Sequence, residues 1–162
     1  VQHAPNRWFT ESLAERLHRQ CALLVKVAED AEAIRVGTVY LAPSGSRLTL
    51  RRAQTTDTVI DLTPDEASQE LSPSIDLTMQ SVAHVYTDAA VGIVLSGMGH
   101  DGVQGMTAIK AAGGRTIVQD ASALIFGMPK AVIDHGVADQ VLPAADIVEA
   151  MQVCVSTRVE RR

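Results

Sequence analysis

The feature that most limits the fold is a strict alternation in the second half of the chain. Short apolar segments at Val91–Leu95, Arg115–Val118 and Gln140–Leu142 are each followed by a helical pattern, at Val103–Ala112, Pro129–Asp134 and Ala145–Val155. A strand, a helix and a second strand make a βαβ crossover, which leaves neighbouring strands parallel and buries them under helices. The expected class is therefore α/β: a doubly wound, mostly parallel sheet with helices on both faces, a Rossmann-like three-layer arrangement. The first half adds an antiparallel hairpin. Val1–His3 reads as the end of a strand. An amphipathic helix over Trp8–Gln20 puts Phe9, Leu13 and Leu17 on one face, with Thr10 as cap and Glu11 in the first turn. Leu23–Ala28 and Thr38–Ala42 read as strands, and Leu48–Arg51 with Val59–Leu62 as a hairpin with one wet face. Asp65–Ser72 reads as a polar loop inside the domain, followed by a helix over Ser74–Tyr86.

Composition narrows the function. A chain of 162 residues suits one domain, expected over residues 1–155, with a charged tail at 156–162. A net charge of −5 and 3% aromatic residues give neither the positive field nor the stacking platforms of a nucleic-acid binder. The longest apolar run, Ala89–Leu95, is too short to span a bilayer, and no signal-like sequence opens the chain, so a cytoplasmic location is expected. Cys21 and Cys154 stand far apart without metal-ligand spacing, and no cofactor or metal is expected. Because the chain opens with Val1 rather than Met, in apolar sequence, a fragment, a processed chain or an N-terminally incomplete sequence is expected.

The most informative stretch is VGIVLSGMGHDGVQGMTAIKAAGGRTIVQD, residues 91–120. Gly97, Gly99 and Gly102 form a Gly-x-Gly-x-x-Gly between strand and helix, and Asp120 follows at about the spacing of a ribose-binding acid. A nucleotide site on this loop is one reading. Against it, His100 and Asp101 sit inside the loop, and a carboxylate there would repel a pyrophosphate. The other reading makes Asp101 the working group. Loops at the carboxyl ends of α/β strands line the functional crevice, and an acid fixed there can orient an imidazole. His3, in VQHAP, is the candidate partner, giving the base and orienter of a Ser-His-Asp hydrolase.

These residues carry a resemblance. VQHAPNRWFTESLAERL, GTVYLAPSGSRLTL, SPSIDLTMQSVA, LSGMGHDGVQGMTAIKAAGGRTIVQD and FGMPKAVIDHGVADQVLP follow one another as do the segments of the chemotaxis protein-glutamate methylesterase (CheB-type) catalytic domain. The similarity runs from Val1 to about Ala150 and puts His3 and Asp101 at the family's catalytic histidine and aspartate. It implies hydrolysis of glutamate methyl esters on the cytoplasmic helices of chemoreceptors, with deamidation of receptor glutamines as a second acyl transfer to water. His3 would act as general base and then acid, and Asp101 would fix its tautomer. Gly97, Met98, Gly99 and His100 would border the oxyanion and substrate cleft. Family members are often joined to a phosphorylatable receiver domain or to a methyltransferase, so either is an expected partner. No nucleic acid and no membrane insertion is implied.

The chain departs from the family in one respect that matters for chemistry. The nucleophile belongs on a Gly-x-Ser-Thr-Gly-Gly turn upstream of the histidine, and residues 1–162 contain no such turn. The resemblance places it before Val1, together with a first strand and helix. Ser96 is the best-placed serine here, but the family uses that position in a non-nucleophilic role; Ser12, Ser44, Ser46 and Ser74 fit caps and turns. Two alternatives stay open: a methylesterase-like domain that binds without turnover, and a nucleotide-binding module on Gly97, Gly99 and Gly102. Smaller departures at Ser46, Arg47, Leu71 and Ser72 bear on receptor specificity.

Overall fold

The computed structural model of the chain describes residues 1, 3, 5–54, 57–64 and 73–159. The chain divides into two compact units, Val1–Ser81 and Val82–Arg162. The loop expected at Asp65–Ser72 lies outside the described residues.

The first unit opens on helix α1, Arg7–Gln20. Its cap is Asn6, which has an extended backbone and accepts the Phe9 N–H through its side-chain Oδ1 at 2.9 Å. Thr10, expected in that role, lies instead inside the first turn, buried, with its hydroxyl donating to the Asn6 carbonyl at 3.4 Å. Starting the helix at Arg7 also moves Glu11 out of the first turn, where it pairs with Arg7 at 2.9 Å. Of the strand end expected over Val1–His3, Gln2 lies outside the described residues, and Val1 and His3 lie in no regular element.

Strands β1 (Leu24–Val27) and β2 (Thr38–Leu41) pair in parallel, from Leu24 opposite Thr38 to Val27 opposite Leu41. Strands β3 (Ser46–Arg52) and β4 (Thr58–Pro64) form the antiparallel hairpin, with Leu48 opposite Leu62 and Leu50 opposite Ile60. The period of two puts those four residues on the core face, where Ala28, Ala42, Leu48 and Ile60 are buried and Ile34, Tyr40, Leu50 and Leu62 pack against them. Helix α2 (Ile75–Tyr86) is tied to this hairpin by hydrogen bonds. The Thr78 hydroxyl donates to the Leu48 carbonyl at 2.7 Å, and the Leu50 N–H donates to Ser81 Oγ at 3.0 Å. His18, on α1, accepts the Val25 N–H at Nδ1, which ties the helix to β1.

The second unit realises the alternation read from the sequence. Strands β5 (Val91–Val94), β6 (Arg115–Gln119) and β7 (Gln140–Leu142) lie side by side in that order, all parallel. Between and after them come α3 (Val103–Ala111), α4 (Gly127–Asp134) and α5 (Ala144–Val159). The core is Val94, Met106, Ile109, Ile117, Val118 and Val132, each no more than 2% exposed. Helix α5 continues past Val155, where the sequence pattern stops, to Val159.

Candidate active site

The loop leaving β5 carries Gly97, Met98, Gly99, His100 and Asp101 together, and leads into α3 through Gly102. Gly99 and Gly102 have φ of +92° and +108°, a region that side-chain-bearing residues avoid. Asp101 stands half-buried between these two glycines. His100 is exposed, and the Met98 side chain is 79% exposed.

A second loop, leaving β6, is joined to the first along its length. Gly97 donates its N–H to the Ile125 carbonyl at 2.9 Å and accepts the Met128 N–H at 2.8 Å, which makes a one-residue parallel bridge with Phe126. The Ser96 N–H donates to Gln119 Oε1 at 3.0 Å, and Ser96 Oγ accepts the Ile125 N–H at 3.0 Å. Gly127 sets the closeness of the join. A β-carbon there would lie 2.9 Å from the Gly97 carbonyl oxygen, 3.1 Å from the Gly99 nitrogen and 3.2 Å from the Met98 α-carbon. The chain therefore holds Asp101 on a loop that is braced by a neighbour rather than free to swing.

These bonds bear on the two readings of the glycine motif. A pyrophosphate site needs outward-facing amides, but the Gly97 N–H is donated to Ile125 and the Val103 N–H to His100. Asp120, the apparent ribose acid, closes the turn after β6 by accepting the Ser122 hydroxyl and, at 3.0 Å, its N–H. The Ser122 hydroxyl bond and then the backbone bond hold the Asp120 carboxyl below its ordinary range. Both features that pointed to a nucleotide thus serve the fold.

His3 lies in the first unit, half-buried, a few residues before α1. In the same unit a cavity of 240 Å³ opens past the carboxyl ends of β1 and β2, lined among others by Arg7, Glu29, Asp30, Ser44 and Ser46. Ser74 and His135, two others of these residue types, have local work. Ser74 Oγ caps α2 through the Leu77 N–H at 3.3 Å, and His135 Nδ1 sits 2.7 Å from the Ala131 carbonyl at the end of α4. Among the described residues no group of three or more His, Cys, Asp or Glu is placed to hold a metal ion. No helix among them is long and apolar enough to cross a membrane.

Sequence reasoning missed Gln119 and Gly127 as parts of this site. The QD and FGMP segments held the signal, a polar residue ending a buried strand and a glycine starting a helix, but neither shows its partner in sequence.

Comparison with known proteins assigns the chain. The CheB methylesterase family model matches residues 1–151. A protein named protein-glutamate methylesterase/protein-glutamine glutaminase from Bordetella parapertussis is 41% identical over 99% of this chain and 46% of its own length. One of the same name from Geobacter sulfurreducens is 43% identical over 90% of this chain and 40% of its own. The chain thus spans less than half the length of these relatives. The crystal structure of the Thermotoga maritima CheB methylesterase catalytic domain superposes with a TM-score of 0.87 at 40% identity, covering 93% of this chain and 79% of that one. With the family model matched from before His3 to beyond the Asp101 loop, this α/β chain belongs to the CheB methylesterase family.

Proposed function

We propose that this chain forms the His-Asp part of a serine hydrolase that removes methyl esters from glutamates, and amides from glutamines, on chemoreceptors. The observation that carries the reading is the family match across 1–151, which includes both the His3 segment and the braced Asp101 loop. His3 takes the proton of the attacking hydroxyl and returns it to the leaving methanol or ammonia. Asp101 holds the imidazole in the required tautomer and stabilises its charged form. Gly97, Met98, Gly99 and His100 line the cleft, with a backbone amide near Met98 facing the oxyanion. The serine comes from sequence outside residues 1–162, which hold no Gly-x-Ser turn. The substrate is the methylated cytoplasmic helices of receptors, and a receiver domain or methyltransferase is the partner that would regulate or oppose it.

The test is methanol release from methylated receptor by the protein together with the sequence preceding Val1. Asp101→Asn should lower kcat by about 10⁴-fold, because the wrong tautomer is then favoured. Turnover like that of the wild type would remove Asp101 from the mechanism. A second reading, a receptor-binding domain without turnover, is favoured by the missing Gly-x-Ser turn alone; a preceding segment with no serine turn would establish it.

A further inference from the structure

Resting on that reading, we propose that Gln119 and Ser96 are positioning residues: together they clamp the Asp101 loop to the loop after β6 and so fix where the carboxylate stands during turnover.

Four observations lead there. Gln119 is the last residue of β6 and is only 9% exposed, so its amide is withdrawn from water and needs partners inside the protein. Its Oε1 accepts the Ser96 N–H, the backbone group just ahead of the glycine loop. Ser96 then accepts the Ile125 N–H through Oγ, closing a path from β6 to the β5 loop and on to the β6 loop. The Gly97 bridge continues this path, and Gly127 leaves no slack beneath it. Gln119 stays at the rear of the loop, five residues before Asp101 at its nearest bonded point, so it acts on the reaction only through the loop. An aliphatic side chain at 119 would satisfy the burial equally well. The amide is needed only because the Ser96 N–H must be held.

The experiment compares Gln119→Leu and Ser96→Ala with Ser96→Thr, again in the protein with its preceding segment. Gln119→Leu and Ser96→Ala should each lower kcat roughly 10- to 100-fold with KM unchanged, since small misplacements of a catalytic group cost about this much. Ser96→Thr keeps the hydroxyl at an exposed position and should restore kcat to within about threefold of the wild type. Hydrogen exchange on the chain itself supplies a readout that needs no turnover: Gln119→Leu should speed exchange of the Ser96–Asp101 segment while α3 stays protected. Unchanged kcat and unchanged exchange in Gln119→Leu would overturn the clamp. So would a kcat loss in Ser96→Ala that Ser96→Thr fails to rescue. A failure of the proposed chemistry looks different, because there Asp101→Asn itself would leave turnover intact. If Gln119→Leu does not fold, Ser96→Ala and its threonine rescue decide the matter.

Discussion

A carbon added at Gly127 would meet backbone on three sides: the Gly97 carbonyl, the Gly99 nitrogen and the Met98 α-carbon. Backbone cannot rotate away as a side chain can, so the loop bearing Asp101 would have to move. Gly127→Ala is therefore expected to lower kcat for ester hydrolysis by about 100-fold, with global stability reduced by no more than about 1–3 kcal/mol. Steady-state kinetics beside urea unfolding checks this, and a variant with full activity would show that the loop tolerates displacement. Gly97 is a milder case, since its added carbon would meet the Met128 sulfur, which belongs to a flexible side chain. At this scale the sequence was partly legible. The glycines around Asp101 announced a tight loop, and Gly99 and Gly102 do take positive φ there, whereas Asp120 gave the right spacing for a ribose acid and turned out to accept hydrogen bonds from Ser122. Spacing records distance along the chain and says nothing about which way a carboxylate faces.

Among the elements, β6 shows how the parallel sheet of the second unit is held at its far end. Asp139 leads into β7; its carboxylate accepts the Thr116 N–H at 2.9 Å and pairs with Lys110 of α3 at 3.0 Å. Burial alone would raise the Asp139 pKa, but the Lys110 bond, the Thr116 bonds and the lysine's charge together outweigh it and hold it below the ordinary value. A carboxyl depressed in the folded state adds stability above its unfolded pKa of about 3.9 and loses that contribution as the pH falls through the lower folded value. Asp139→Asn should therefore cost about 1 kcal/mol at pH 7, the Lys110 side chain being half-exposed and screened. It should cost progressively less below about pH 4, as urea unfolding at the two pH values would show. An equal loss at pH 7 and pH 3 would contradict the charge-based account. Strands β5 and β6 were legible because partly or wholly buried parallel strands are apolar runs, and the helices between the strands keep their period; β7 is exposed to half-buried and was legible only from its place in the alternation. Ends were less so: Asn6 displaced Thr10 as cap because both residue types suit that position and only the backbone entering α1 decides between them. The Gln119–Ser96 bond was not legible at all, since it joins a loop residue to a strand end 23 positions on, and no period in the sequence pairs them.

For the molecule as a whole, two compact units carry the two halves of the proposed chemistry, His3 in one and Asp101 in the other. The family match spans both, and relatives named for methylesterase and glutaminase activity are roughly 40% identical along nearly all of the chain. The net charge of −5 gives the chain no electrostatic attraction to polyanions. The most direct test of the central claim is the rate of methanol release from methylated receptor after His3→Ala, measured in the protein that includes the segment preceding Val1. The account predicts a loss of several orders of magnitude in kcat with thermal unfolding unchanged, because no other group would take the serine's proton. Turnover at the wild-type rate would contradict it and leave the family's histidine position in this chain without a catalytic role.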